Sequence, residues 1–174
     1  MDIIEHFIKE PNKEFHVREL ARIAKKSPTT ISKRLNSLEK EKLLISKKKL
    51  NHLLFIANTE NAKFKEFKIF YNIRKLRESG LIEYLNASFN YPSAILLFGS
   101  FRKGEDIPNS DIDLMIITPI KKEIDCSKFE RFLGRKIQLF LKSKEDIERM
   151  KNKNKELLNN IINGIVVEGF WEIF

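Results

Sequence analysis

Asp111 and Asp113 are the residues in this chain best placed to do chemistry. They sit in the run Ser110-Asp111-Ile112-Asp113-Leu114-Met115-Ile116-Ile117, ten residues downstream of Leu97-Phe98-Gly99-Ser100. Side chains alternate between the faces of a strand, so the two carboxylates project the same way while Ile112 and Leu114 pack inward. Their positions along the chain are about 7 Å apart. Such a pair can converge on one or two Mg²⁺ ions, which take oxygen ligands and commonly share them with substrate phosphates. Gly99 lets the backbone turn and lets a ligand approach, because it has no Cβ. Ser100 adds a hydroxyl where turn amides would also point outward as an anion cradle. A phosphate cradle beside a metal-binding acid pair is equipment for moving a nucleotidyl or phosphoryl group. The bland alternative is a Gly-Ser turn and an edge strand with solvated acids, but it does not account for two acids on one face of an otherwise apolar strand.

The elements that must hold these residues are legible around them. Ala94 to Phe98 is short and wholly apolar, as a buried strand should be. A mobile loop from Phe101 to Asn109 follows, carrying Arg102 and Lys103, two cations that would offset the charge of a bound triphosphate; an ordinary solvated loop is the other reading. Thr118-Pro119 ends the second strand. Ser127 to Leu133 is expected as a short helix, Lys136 to Leu141 as a strand, Ser143 as the start of a helix with acids in its first turn, and Lys155 to Asn163 as a last helix. Ile165 through Phe174 should be extended.

Gly99-Ser100, a ten-residue interval and Asp111-x-Asp113 between apolar residues resemble the DNA polymerase beta nucleotidyltransferase superfamily, and most closely its small stand-alone minimal nucleotidyltransferase branch. The resemblance covers about Leu81 to the C-terminus. It implies Asp111 and Asp113 as catalytic and metal-binding residues, with Gly99, Ser100, Arg102, Lys103 and Ser110 around the nucleotide phosphates. The cofactor would be Mg²⁺, two ions if the protein is active, with a nucleoside triphosphate as substrate or ligand. Family members place a third acid on a later strand; the matching position here is Gln138, a neutral amide that cannot accept a proton as a general base. Glu123 and Asp125, in the connection before that strand, could swing in as substitutes, whereas Glu145 and Asp146 look like helix-start acids. Relatives of this branch often modify proteins or act as antitoxins, so a protein acceptor or toxin partner is allowed.

The N-terminal part has a different character. Asp2 to Lys9, Phe15 to Ala24 and Pro28 to about Glu41 read as three helices; Lys25-Lys26 is a turn, and Ser27-Pro28 supplies a cap and a first-turn proline. Leu43 to Ile45 and Leu53 to Ile56 flank a polar tip and read as a β-hairpin. Helix-turn-helix plus hairpin resembles the winged-helix domains of small prokaryotic regulators. The resemblance implies DNA contacts by Thr29, Thr30, Lys33, Arg34 and Asn36 on the third helix and by Lys47, Lys48 and Lys49 on the wing. A protein-contact module with solvated Lys-rich faces is the alternative.

The expected architecture is therefore α+β: a winged helix-turn-helix domain over 1–58, a linker helix over 59–80, and a small mixed α/β nucleotidyltransferase-like domain over 81–174. Phe67, Phe70, Tyr71 and Arg74 share a face of the linker helix, which suggests a packing surface and a homodimer. The 174 residues carry a net charge of +9, which suits a phosphate-bearing partner, nucleic acid or nucleotide. Cys126 is the only cysteine, so no internal disulfide forms and a cysteine-based zinc site is disfavoured. No secretory leader or membrane-length apolar run is read from the sequence, and a cytoplasmic protein is expected. Two functions remain in view. One is a Mg²⁺-dependent nucleotidyltransferase with an unknown acceptor. The other is an inactive DNA-binding regulator whose second domain senses nucleotide or metal.

Overall fold

The computed structural model describes residues 2–50 and 52–172. The chain divides into two compact units, residues 1–68 and 69–174, and the division falls inside a continuous helix. Both units mix helices with a sheet, as an α+β chain should.

In the first unit, α1 (Ile4–Lys9), β1 (Phe15–His16), α2 (Val17–Ala24) and α3 (Pro28–Lys40) precede a hairpin of β2 (Leu44–Lys49) and β3 (His52–Ala57). The sheet order is β1-β3-β2, antiparallel throughout. Phe7, Phe15, Leu20, Ile31, Leu35 and Phe55 are all buried, and Phe7 meets Phe15 edge-on at 4.9 Å between ring centroids. The apolar spacing Ile31, Leu35, Leu38 puts one face of α3 into this core. Ser27 opens α3: its hydroxyl accepts from Thr30 N at 3.1 Å. Lys25 ends α2 in a left-handed conformation, with its N–H returning to Ala21 and Arg22.

Two expectations are corrected here. Phe15 and His16 are not helical but pair with Phe55 and Leu54, because burying Phe15 in the sheet outweighs a weak local preference. Lys47, Lys48 and Lys49 do not form the hairpin tip; they pair with Leu54, Leu53 and His52, and His52 opens β3. The tip is shorter, and Asn51 within it lies outside the described residues.

The helix that contains the division is α4 (Ala62–Glu78). Its buried residues are Phe64, Lys68, Tyr71, Asn72 and Leu76; Phe64, Lys68, Asn72 and Leu76 recur every four residues along one face, with Tyr71 beside them. The expected aromatic stripe is therefore split: Tyr71 is buried while Phe67 and Phe70 are exposed. Gly80, left-handed at φ +74°, separates α4 from α5 (Leu81–Ser88).

The second unit continues with β4 (Ala94–Phe98), α6 (Gly99–Lys103), β5 (Ile112–Ile117), α7 (Ser127–Leu133), β6 (Ile137–Lys142), α8 (Lys144–Lys153), α9 (Lys155–Ile162) and β7 (Ile165–Gly169). The sheet order is β6-β5-β4-β7; β4 is antiparallel to both neighbours and β5 is parallel to β6. Every residue of β4 is buried, because apolar layers cover both faces of the sheet. Ile95, Leu97 and Leu114 face one layer with Leu85 and Phe129. Leu96, Phe98, Met115 and Ile117 face the other with Ile147 and Ile161. Extended structure after Gly169 continues only to a hydrogen bond from Phe170 N to Ser93 O; Ile173 and Phe174 lie outside the described residues.

Removing the Ser27 hydroxyl in Ser27→Ala leaves the Thr30 amide without its cap. It should lower the unfolding free energy of the first unit by about 1 kcal/mol, measured by urea denaturation followed by circular dichroism.

Candidate active site

The acid pair sits where β4, β5 and β6 come together. β5 begins at Ile112, so Asp111 lies just before the strand and Asp113 within it. Ile112 and Leu114 are fully buried on one face, and the alternation leaves Asp111 and Asp113 together on the other, as expected. In register, Asp113 lies opposite Phe98 of β4 and Gln138 of β6. Next along this face, Phe98 and Phe140 stack edge-on at 5.2 Å, so Asp113 stands at the rim of an apolar layer. Burial, and then the neighbouring Asp111 charge, push its carboxyl above the usual aspartate range.

Gly99 follows Phe98 with φ +70°. A Cβ at this position would collide with Asp113 Oδ2 and lie 3.2 Å from its Cγ. Glycine is thus required twice, by the left-handed backbone and by the carboxylate that fills the space.

Gly99 and Ser100 open a short helix rather than an open turn: α6 runs to Lys103, and Gly104 closes it at φ +67°. The expectation of a mobile loop beyond Ser100 is corrected by its tethers. Phe101 is buried. Glu105 N donates to Ser100 O at 3.0 Å. Asn72 Nδ2 donates to Phe101 O at 3.3 Å and to Asp106 Oδ1 at 2.9 Å, and Asp106 is only 3% exposed. Arg135 Nη1 donates to Pro108 O at 2.5 Å, and Ser110 Oγ accepts from Ile107 N at 2.9 Å. Asn72, Asp106 and Arg135 were not among the expected site residues. The available signal was an asparagine on the apolar line of α4, a costly place for an amide that has no partner.

Arg102 is half-buried, and its Nε is buried without a hydrogen-bond partner. Lys103 is exposed, and Ser100 and Ser110 are half-buried.

The third position is occupied as the alignment of strands suggested. Gln138 Nε2 donates to Asp111 Oδ2 at 2.5 Å. Of the acids that could have replaced it, Asp125 and Asp146 are committed elsewhere. Asp125 accepts from Ser127 N at 2.9 Å, which holds its carboxyl below the usual range. Asp146, in the first turn of α8, accepts from the N–H of the capping residue Ser143 at 3.0 Å; that bond, with Lys121 and Arg149, holds it down to about 2. Glu130 Oε1 accepts from Ile137 N at 2.9 Å. Glu123 is exposed in the connection after β5. Among the described residues no group of three His, Cys, Asp or Glu side chains is gathered as a metal centre. The site therefore offers two carboxylates, with the Gln138 amide N–H directed at one of them; carboxylate oxygens are donors of the kind Mg²⁺ accepts when phosphates complete the shell.

In the first unit, Thr29, Thr30, Lys33, Arg34 and Asn36 are all exposed on α3. Thr30 Oγ1 is 2.8 Å from Ser27 Oγ, and Arg34 pairs with Asp2 at 3.2 Å. Lys47, Lys48 and Lys49 are exposed on β2, with Lys49 3.9 Å from Glu14. Exposed pairs of this kind hold a cation only weakly. Among the described residues, no helix is long and apolar enough to cross a membrane.

A family model for the polymerase beta nucleotidyltransferase domain matches residues 80–168. The match takes in β4, α6, the acid pair and Gln138, and the chain belongs to that family. Comparison with curated proteins and with solved structures returns no match.

Two outcomes follow. Because Asp113 is harder to ionise in the folded chain, its ionisation subtracts stability as pH rises from below about 3.9 towards and through its higher folded value. Asp113→Asn should remove that loss: the metal-free variant should melt at a higher temperature than the parent at neutral pH, with the gap closing in acid, as read by differential scanning calorimetry. Gly99→Ala should destabilise the protein at every pH, as read by the same calorimetry, because its Cβ would meet the Asp113 carboxylate.

Proposed function

We propose that this protein is a Mg²⁺-dependent nucleotidyltransferase that binds a nucleoside triphosphate between Gly99-Ser100 and the Asp111/Asp113 pair. The observation that carries the reading is the convergence of these groups: the space a side chain would take at Gly99 is filled by the Asp113 carboxylate. Asp111 and Asp113 would hold the metal, and Gln138 would fix the orientation of Asp111. When bound, Mg²⁺ would neutralise phosphate charge and polarise the phosphorus under attack. Arg102, with its unpartnered Nε, and Lys103 would offset the triphosphate charge, while Ser100 and Ser110 offer hydroxyls to phosphate oxygens. The tethers from Asn72 and Arg135 would hold α6 and the loop before Asp111 in place for that contact. The acceptor is a hydroxyl on a partner not named by these residues, and a protein acceptor remains part of the reading.

The first unit is proposed to be a winged helix that binds DNA. α3 would meet the DNA through Thr29, Thr30, Lys33, Arg34 and Asn36, and Lys47, Lys48 and Lys49 would hold phosphates from β2. The +9 charge supports this, and binding would weaken steeply with salt through counterion release. Phe67 and Phe70, exposed on α4, would supply a homodimer contact. A cytoplasmic location fits these partners.

A second reading rests on Gln138. An amide where a base would stand favours a regulator that binds nucleotide without turning it over, with DNA affinity as its output.

Calorimetric titration with a non-hydrolysable triphosphate and Mg²⁺, then incubation with labelled ATP, GTP, CTP and UTP plus cell extract, separates the readings. The expected result is micromolar binding and label transfer, both lost in Asp111→Asn/Asp113→Asn. Binding without transfer would select the regulator, and binding undiminished in the double variant would refute the site.

A further inference from the structure

The amide at Gln138 has a consequence for how many cations the site takes. Two carboxylates carry two negative charges, enough to balance one divalent ion. A second ion close by needs further anionic oxygen, because two dications a few ångströms apart repel strongly in a partly desolvated site. The only protein group that could supply it from β6 is Gln138, in register with Asp113. It supplies the opposite polarity: Nε2 donates to Asp111 Oδ2, so an N–H dipole with its positive end towards the carboxylate occupies one of that acid's oxygens. The neighbouring acids do not compensate. Asp125, Glu130 and Asp146 are each tied to a backbone N–H, of Ser127, Ile137 and Ser143 respectively; Glu123 is exposed in the connection after β5, and no third acid, histidine or cysteine joins the pair among the described residues.

We infer that Gln138 makes this a one-cation site: a single divalent ion is held by Asp111 and Asp113 together with the nucleotide phosphates, and the Gln138 amide excludes a second. This rests on the nucleotide-binding reading above and narrows it. The nucleotide's own charge belongs to the first ion, since the phosphates are its ligands. On β6, the residue in register with Asp113 is this amide and not a further carboxylate. Gln138 thus acts through Asp111, as a positioning residue and as the determinant of metal count.

The test uses the full chain with Mn²⁺ as the probe and a non-hydrolysable ATP analogue held saturating. Protein-bound Mn²⁺ is counted by electron paramagnetic resonance after correction for Mn²⁺ on free nucleotide. One ion per chain is expected in the parent and two in Gln138→Glu, whose carboxylate adds the missing charge at the same register position. Metal-free Gln138→Glu should melt below the parent, since three acids then repel, and should recover as Mn²⁺ is added. Two ions in the parent would overturn the inference and leave the nucleotide site standing. One ion in both proteins would overturn it too, because Gln138 would not be what limits the count. No bound Mn²⁺ in the parent would instead defeat the metal-site reading itself.

Discussion

Asp113 and Gly99 compete for one volume of space, and the second unit is arranged around the way this is settled. The carboxylate occupies the position of a side chain that residue 99 does not have. This requires a strand delivering the acid, a neighbouring strand ending one residue before the glycine, and a backbone that turns left-handed at that point. The antiparallel pairing of Phe98 with Asp113 meets the first two conditions, and φ +70° meets the third. Burial follows from the same arrangement, because an acid pressed against the end of a wholly apolar strand loses water. The raised proton affinity of Asp113 is thus a by-product of pressing it against the turn at Gly99.

The rest of the unit keeps that contact in register. Parallel pairing of β5 with β6 sets Gln138 beside Asp113, and Ile112 N bonded to Lys136 O starts the ladder at the residue between the two acids. The segment joining α6 to β5 is held on one side by Asn72 and on the other by Arg135. Asp106 shows how a buried acid can serve structure: an amide donor satisfies it inside the fold, where an unpartnered carboxylate would be costly.

Much of this was legible in the sequence. Period-two alternation through Ile112, Asp113 and Leu114 placed both acids on one face, and the glycine after an apolar run located the turn. These signals are local and survive folding. The long-range ones did not show themselves. Nothing adjacent to Asn72 in the sequence connects it to Asp106, and that contact decides whether the following segment is loose or tethered. The short strand at Phe15 was hidden for the same reason, since its pairing partner Phe55 lies forty residues away. On α4 the spacing placed Phe70 with Tyr71, but adjacent residues on a helix point about 100° apart, and only one of them is covered. The contacts expected of α3 with DNA remain a matter of exposure and charge.

The outer strand β6 raises a separate matter. It lies at an edge of the sheet, and its residues Ile137, Leu139, Phe140 and Leu141 are only half-buried. An apolar edge of this kind is a template for sticking to another copy of itself. Arg135 and Lys136 stand directly before the strand, Lys142 closes it and Lys144 follows. Like charges stacked in an edge-to-edge dimer would repel, so Lys136, Lys142 and Lys144 disfavour such pairing. Part of the chain's positive charge is therefore explained by protecting a strand, with no ligand required.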